Sequence, residues 1–418
     1  MTAGNGFGLA STDEHMTSTT PVLARSRPAA ALPTSRLALF AFIAAASPLA
    51  IDLYLASFPA IQRDLRTSPA MVQLTLTAYI AGVAIGQPIW GPLSDRFGRH
   101  RPLVVSNGLT LAASLVVVLA PTIETLIAAR FVQALAAAAG MVVVRAMISD
   151  LTEGLEGVRA LALMMTVHAV VPVIAPVLGG VLSTILPWRA VLAVFAAFVA
   201  TQLAVSVLLV RETLRTEDRA RRLSYLDLAR VMRRGTFVVH ATTVGLTVGA
   251  VMTFIATSSF VYQDVLGLSP LAFGLSFGLN ACGMVAAGLL SARLARRGVR
   301  PTRTIAAGFT GAVTAGVLMI VAAASPWPIL LIGPVMAQVF FLNLAMSNGM
   351  GLAMEHARGL TGAGSAMLGF WMFAISALVT PVAGLVAGSR PEVAMAAVMT
   401  GLTVSAAAVF VVGLRRAR

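Results

Sequence analysis

The chain has 418 residues, of which 58% are hydrophobic and only 11% are charged, and its mean hydropathy is +0.88. A soluble domain carries roughly 25% charged residues, so this composition excludes a soluble globular protein and indicates a chain embedded in a lipid bilayer. The formal net charge is +14, but the arginines lie in short gaps between apolar segments, which favours a role in membrane topology over nucleic-acid binding.

The first 35 residues are polar and rich in Ser, Thr, Ala and Pro, which predicts a disordered tail over 1–35 and no cleavable signal peptide. Twelve apolar segments follow. Each is long enough to cross a bilayer as a helix, because about 20 residues cover a hydrocarbon core of about 30 Å. The predicted spans are residues 37–59, 71–93, 103–121, 123–147, 160–184, 188–210, 236–261, 270–292, 303–323, 327–352, 362–387 and 392–413.

A charged linker over residues 211–235 divides the spans into an N-terminal bundle over 36–210 and a C-terminal bundle over 236–418. The distribution of arginines predicts the orientation, because basic loops resist translocation. If the N-terminus is cytoplasmic, the inner segments hold 24 arginines and the outer loops hold four, with Arg130 and Arg145 inside the fourth span. We therefore expect both termini in the cytoplasm.

The two bundles carry traces of an internal repeat. Ser68-Pro69 precedes the second span and Ser269-Pro270 precedes the eighth, and Gly82 and Gly283 keep the same register. Two repeated six-helix units that face each other enclose a central cavity open to one side at a time. The sequence therefore predicts an all-α integral membrane protein with twelve transmembrane helices in two pseudo-symmetric bundles, an architecture suited to transport.

The loop between the second and third spans reads Gly91-Pro92-Leu93-Ser94-Asp95-Arg96-Phe97-Gly98-Arg99-His100-Arg101, and it closely resembles the cytoplasmic loop motif of the major facilitator superfamily. Gly91 permits close approach of a neighbouring helix, and Gly98 permits a tight reversal of the chain. Asp95 can accept hydrogen bonds from a helix N-terminus or pair with an arginine. The resemblance implies that Asp95 stabilises the outward-facing state by contacting the start of the eleventh span, near residues 362–365. The implied conformational latch comprises Gly91, Asp95, Arg96, Gly98 and Arg99. The alternative is that the arginines only anchor the topology.

Further motifs narrow the resemblance. The fourth span carries Arg130-Phe131-Val132-Gln133, similar to the superfamily's Arg-x-x-Gln element. The fifth span resembles the antiporter signature, whose implied hinge residues are Pro172, Pro176, Gly179 and Gly180. Together with the segments 47–55, 260–264 and 364–370, these motifs resemble the bicyclomycin/chloramphenicol-resistance branch of drug:proton antiporters. The resemblance extends from about residue 37 to 414.

Asp52 is the acid that we place deep inside a span, about eight residues from the outer end of the first, and Arg130 lies at a similar depth in the fourth. An intramembrane carboxylate costs about 2.5–3.5 kcal/mol on insertion scales and usually faces a cavity or a partner. A changing distance between the two charges would change the proton affinity of Asp52, which makes the pair the candidate for proton coupling. The alternative is a permanent structural ion pair.

Polar and aromatic side chains within the spans are candidates for substrate contact, although hydrogen bonding between helices explains most such residues. Tyrosines are favoured because they combine a ring with a hydroxyl group. The candidate set is Tyr54, Tyr79, Gln133, Asn280, Asn343 and Trp371. His168, in the fifth span, is either a proton shuttle or a packing histidine.

These features predict a proton-coupled multidrug efflux antiporter that exports small amphipathic compounds across the bacterial inner membrane as a monomer. No cofactor or metal is expected, because the proton gradient supplies the driving force and no Walker-type phosphate loop is present. The Gly-x-Ser-x-Gly pattern over residues 274–278 lies within an apolar helix, whereas a hydrolase nucleophile needs a strand-to-helix turn, so we expect no enzyme. Two alternatives stay open: export of an endogenous sugar or amino-acid derivative, and a non-transporting sensor or scaffold on the same fold.

Overall fold

The computed structural model describes residues 2, 4, 32–152, 154–214, 225–388 and 390–416. Most of the predicted tail and part of the linker lie outside these residues. Over the described ranges the chain is helical, without β-strands, and the predicted all-α fold is confirmed.

The first predicted span is broken into three helices, whereas each of the other spans is one continuous helix. The helices are α1 (Thr34–Ala44), α2 (Ala46–Asp52), α3 (Phe58–Asp64), α4 (Pro69–Phe97), α5 (His100–Leu119), α6 (Ile123–Leu151), α7 (Gly154–Ile185), α8 (Trp188–Leu209), α9 (Tyr225–Met232), α10 (Gly235–Phe260), α11 (Pro270–Arg296), α12 (Pro301–Ala324), α13 (Ile332–Glu355), α14 (Thr361–Val386) and α15 (Pro391–Arg416). A 3-10 turn joins α2 to α3, a π-helical turn extends α10 over Val261–Val265, and a second 3-10 turn precedes α13.

Within the described residues, ten helices are long and apolar enough to cross a membrane, and the bent pair α1 to α3 makes an eleventh span. Helix α7 coincides with the fifth predicted span and is 32 residues long, which corresponds to about 48 Å. The chain is therefore a multi-pass membrane protein, and a helix or a bent pair stands at each of the twelve predicted spans. An even number of spans places the start of α1 and the end of α15 on one side, here called the terminal face; the opposite side is the far face.

Two prolines account for the breaks in the first span. Proline cannot donate a backbone hydrogen bond and clashes with the carbonyl four residues earlier, so Pro48 interrupts the helix at Ala44 and Pro59 leaves the Leu55 carbonyl without its helical donor. The first break bends the span by 43°. Gln202 of α8 stabilises the bend, because its Nε2 donates to the carbonyls of Phe42 at 2.5 Å and Ile43 at 3.1 Å.

Close contact between α4 and α6 forms the centre of the N-terminal bundle. A Cβ on Gly82 would lie 2.8 Å from the Ala134 Cβ, and one on Gly86 would lie 2.7 Å from the Leu135 carbonyl oxygen. The Trp90 indole donates to the same carbonyl at 2.7 Å. At Gly91, by contrast, an added Cβ would meet its nearest atom at 3.8 Å, an ordinary contact distance. The close helix contact that we expected at Gly91 therefore occurs at Gly86 and Gly82, about one and two turns earlier in α4.

The predicted repeat is visible at the starts of α4 and α11. Ser68 caps α4 by accepting a hydrogen bond from the Met71 amide, and Ser269 caps α11 by accepting one from Ala272. Both helices begin with proline at the first helical position, where the missing N–H costs nothing. Across the two bundles, α4 packs against α14 and α7 packs against α11. These two seams enclose the centre of the molecule.

Candidate functional site

A central cavity of about 190 Å³ lies between the two bundles. Helices α2, α6 and α7 form one wall, and α10, α11 and α14 form the other. The wall is mostly apolar, and Phe254 and Phe277 stack within it with their ring centroids 5.4 Å apart. The lining residues are Ser47, Pro48, Ile51, Asp52, Met141, Pro172, Val251, Met252, Phe254, Ile255, Phe277, Asn280, Ala281, Met284 and Phe373.

Asp52 is the carboxylate on this wall. It ends α2 immediately before the break in the first span, and only 3% of its surface is exposed. Within the described part of the chain it makes no hydrogen bond and no ion pair. The cavity therefore contains an acid with no partner among the described side chains, although an ionised carboxylate in an apolar site is costly unless it is paired.

Arg130 lies in a cluster of its own beside the first span. It is fully buried, and its guanidinium lies 4.2 Å from the ring centroid of Tyr54 and 4.2 Å from that of Tyr79. It donates to Gln133 Oε1 at 2.7 Å and to the Ala50 carbonyl at 2.9 Å. Arg130 therefore contacts the backbone of α2 two residues before Asp52, without an ion pair to that acid.

Hydrogen bonds hold the other side chains of this cluster. Gln133 Nε2 donates to Ser114 Oγ at 2.8 Å, and the hydroxyls of Tyr54 and Thr75 lie 3.0 Å apart. None of the four predicted residues Arg130, Tyr54, Tyr79 and Gln133 lines the cavity in this conformation. They form a buried support directly behind it.

Of the three remaining residues predicted to contact substrate, one lines the cavity and two lie elsewhere. Asn280 lines the cavity, and its amide donates to the Ser276 carbonyl at 3.2 Å. Asn343 is buried in α13 and donates to the Val339 carbonyl at 2.9 Å. Trp371 packs in the terminal-face cluster of the C-terminal bundle and donates to Thr242 Oγ1 at 2.9 Å. Asn343 and Trp371 therefore lie away from the cavity wall in this conformation. The side chain of His168 lies outside the described residues.

Two of the predicted latch residues, Asp95 and Arg99, form an ion-pair network with Asp150 at the terminal face. Arg99 donates to Asp95 Oδ1 at 2.5 Å and to Asp150 Oδ2, at the end of α6, at 2.9 Å. It also donates to Ser94 Oγ at 2.8 Å. Gly98 adopts φ +87°, a conformation that favours glycine, so the predicted tight reversal is present. Arg96 is exposed and lies over the Phe97 ring.

The start of the linker adds two residues to this network. Glu212 accepts hydrogen bonds from the Arg99 amide at 2.8 Å and the His100 amide at 3.3 Å, so it caps α5. Burial alone would raise the pKa of Glu212, but backbone N–H donors hold that pKa below its usual range. Thr213 donates to Asp150 Oδ2 at 3.0 Å. Asp150, Glu212 and Thr213 were not among the residues predicted from the sequence; for the two acids the available signal was their place near arginine-rich segments, as at Asp95.

The two bundles are joined toward the far face. Ser259 Oγ donates at 2.6 Å to the Leu55 carbonyl, which also accepts from the Phe58 amide, and Gln263 Nε2 donates to the Ala56 carbonyl at 3.1 Å. These two hydrogen bonds link α10 and its π-helical turn to the first span. The cavity is therefore closed toward the far face.

The predicted hinge residues of α7 lie along the same closure. Pro172 lines the cavity and Pro176 lies inside the helix. A Cβ on Gly179 would overlap the Leu53 carbonyl, and one on Gly180 would lie 2.6 Å from the Pro270 carbonyl oxygen. Both glycines thus permit close backbone contact between α7 and its neighbours.

Comparison with known proteins identifies the family. The model of the Major Facilitator Superfamily matches residues 40–381. The chain belongs to the major facilitator superfamily. Two solved structures share the fold: a D-xylose-proton symporter with a TM-score of 0.72 at 11% identity, covering 90% of this chain and 97% of that one, and a bacterial homologue of the human lysosomal transporter Spinster with a TM-score of 0.71 at 16% identity, covering 91% and 97%.

Curated relatives agree with the predicted branch. The uncharacterized MFS-type transporter YdgK of Bacillus subtilis (strain 168) is 32% identical over 86% of this chain and 90% of its own length. A bicyclomycin resistance protein homolog of Haemophilus influenzae is 27% identical over 79% and 84%. The multidrug resistance protein MdtL of Escherichia coli O45:K1 is 30% identical over 53% and 56%. The protein is therefore a transporter and not an enzyme, and residues 274–278 are part of the helix packing between α11 and α7.

Proposed function

We propose that this transporter is a proton-coupled efflux antiporter that exports small amphipathic compounds, antibiotics among them, across the inner membrane. The single observation that carries the proposal is Asp52, a buried acid that no described side chain pairs, on the wall of an apolar cavity between the two bundles. The relatives named for bicyclomycin resistance and multidrug resistance support export of such compounds.

The proposed coupling follows from the cost of charge in the cavity. When Asp52 is ionised, a bound compound or a shift of the Arg130 cluster must offset the charge, because burial penalises an unpaired carboxylate. When Asp52 is protonated, the empty cavity is less costly. Drug binding and proton binding therefore compete for one site. Exchange follows when both ligands bias the same rocking equilibrium of the bundles.

Arg130 acts in this proposal through the first span. Its bond to the Ala50 carbonyl connects α6 to the helix that carries Asp52. Tilting of α2 relative to α6 would change the distance between the guanidinium and the carboxylate, and thereby the electrostatic cost of ionisation. We assign Tyr54, Tyr79 and Gln133 to holding Arg130 in this conformation and assign direct substrate contact first to Asn280. Contact from Asn343 and Trp371 stays a prediction.

The excess of basic residues supports a cytoplasmic terminal face. With that orientation the conformation is inward-facing, because the bundles are joined toward the far face. The loop network around Asp95 and Arg99 then acts as the latch, and Pro172, Pro176 and the α7 glycines act as the hinge. We propose rigid bundles over 36–210 and 236–418, joined by the linker 211–235, in a monomer.

Transport by purified protein in proteoliposomes tests the proposal. With an imposed inward proton gradient, we expect wild-type protein to move chloramphenicol or ethidium against the proton flow. Asp52→Asn removes the ionisable group and keeps the shape, so we expect gradient-driven movement to fall at least tenfold. Asp264→Asn is the matched control, because Asp264 is an exposed acid at the far-face end of the π-helical turn. Undiminished gradient-driven exchange by Asp52→Asn would refute the proposed role.

A further inference from the structure

A second cavity, here called the vestibule, lies between the bundles on the terminal side of the central cavity. Its volume is about 280 Å³. Helices α4, α6 and α7 contribute from one bundle, and the first turns of α14 contribute from the other. Its lining residues are Gln87, Gly91, Ser94, Asp95, Arg99, Val142, Arg145, Ala146, Ser149, Leu161, Gly362, Ser365 and Ala366.

Arg145 is the charge in the vestibule that the ion-pair network does not include. It lies on α6, six residues before the end of the helix at Leu151, which is about 9 Å of helix. Its Nε is buried without a hydrogen-bond partner. Over the described ranges, the side chain also makes no ion pair. The residue as a whole is partly exposed, but a buried donor without an acceptor is costly.

The acids that face the vestibule are already engaged. Asp95 is bound by Arg99, and Asp150 accepts from both Arg99 and Thr213. In the described lining the other elements contribute no acid: α7 supplies Leu161, and α14 supplies glycine, serine and alanine. Nothing in the described wall is therefore available to neutralise Arg145 in this conformation.

The start of α14 adds a second source of positive potential. Its N-cap residue, Leu360, makes no side-chain cap to the first amides of the helix. The unpaired N–H groups at a helix start carry the positive end of the helix dipole and bind anions. Gly362 and Ser365, in the first turns of this helix, line the vestibule together with Arg145. The unpartnered guanidinium and the helix start thus face one space from opposite bundles.

We propose that the vestibule binds one anionic oxygen group, a carboxylate or a phosphate, held by Arg145 with the first turn of α14. A planar guanidinium binds such groups through two parallel hydrogen bonds. The site goes beyond the proposed antiport, because it adds an anion-binding step between the terminal face and the cavity of Asp52. It extends the range of compounds that can enter to those with an acidic group.

Binding measurements with benzoate and its neutral analogue benzamide test this site. Purified full-length protein is placed in phosphatidylcholine nanodiscs, and dissociation constants are measured by isothermal titration calorimetry. We expect wild-type protein to bind benzoate, and Arg145→Gln to bind it at least tenfold more weakly, with benzamide unaffected. Arg145→Lys keeps the charge and loses the two-point geometry, so an intermediate constant is expected. Arg101→Gln, which removes an exposed charge on neighbouring α5, should stay within twofold of wild type.

A second arm distinguishes a free anion from a lipid headgroup. Native mass spectrometry counts phosphatidylglycerol retained by wild-type protein and by Arg145→Gln after purification from mixed vesicles. One lipid fewer on Arg145→Gln, without benzoate binding to wild type, assigns the site to a lipid phosphate and supports the proposal. Equal lipid retention together with benzoate binding that is absent or independent of Arg145 overturns it. Neither arm measures transport. Failure of the anion-site proposal would therefore not affect the proposed role of Asp52, which the transport assay tests separately.

Discussion

The contact between α7 and α11 gives a quantitative prediction about the conformational equilibrium. Gly180 lies where the two bundles meet near the far face, and a Cβ there would lie 2.6 Å from the Pro270 carbonyl oxygen and 3.3 Å from the Gly274 Cα. Carbon contacts are optimal at about 3.5–4.0 Å, so Gly180→Ala requires the helices to separate by several tenths of an ångström. Overpacking of this kind costs about 1–3 kcal/mol.

This cost applies to the conformation closed at the far face and disappears when α7 and α11 separate. Gly180→Ala should therefore shift the equilibrium toward the far-open conformation by about 5- to 150-fold. Gly283→Ala and Gly288→Ala are matched controls, because both positions lie on α11 and an added Cβ would meet no atom within 4 Å.

Electron–electron resonance measures the shift directly. Spin labels at Ile185→Cys and Leu271→Cys, both exposed at the far ends of α7 and α11, report the separation, after the exposed native Cys282 is replaced by Ser. We expect a longer distance to gain population in Gly180→Ala and the wild-type distribution in both controls. A wild-type distribution in a folded Gly180→Ala protein would refute the idea that this seam closes the far face.

Two further predictions concern stability. Gln133→Leu leaves Arg130 and Ser114 without their buried partner, so it should destabilise the protein by about 1–3 kcal/mol, seen as a lower melting temperature; an unchanged melting temperature would contradict the support role of this cluster. Glu212→Gln should weaken the cap on α5 by about 0.3–1 kcal/mol. Folding lowers the pKa of Glu212, so its contribution to stability is present above its usual pKa and is lost as the pH falls through the lowered value. The melting temperatures of wild type and Glu212→Gln should therefore converge in acid. A constant difference at all pH values would contradict the cap.

The positions of the spans were predictable because hydrocarbon thickness fixes the length of an apolar helix. The Ser-Pro pairs, which indicated the internal repeat, begin α4 and α11 as matching caps, since an N-cap and a proline at the first position are local signals. The breaks of the first span depend on how Pro48 and Pro59 are accommodated. The bond from Gln202 to the bend joins residues about 160 positions apart, which no local pattern predicts.

The depth of the candidate site residues in the membrane could be predicted from the sequence, but the direction in which their side chains point could be predicted less well. Asp52 lies on the cavity wall, as the cost of an intramembrane acid suggests. Arg130 at a similar depth points instead to the Ala50 carbonyl and two tyrosine rings. Depth follows from counting residues, whereas the face of an evenly apolar helix has no amphipathic signal to define it. For the same reason, Asn343 and Trp371 were placed near a cavity that they do not line in this conformation.

Proton release on drug binding tests the central claim most directly. Chloramphenicol is added to wild-type protein in weakly buffered detergent solution at a pH where the protein binds both ligands, and the pH change is recorded. We predict proton release from wild type and from Asp264→Asn, and none from Asp52→Asn. Equal release from Asp52→Asn, with its chloramphenicol binding intact, would contradict competition of drug and proton at this acid.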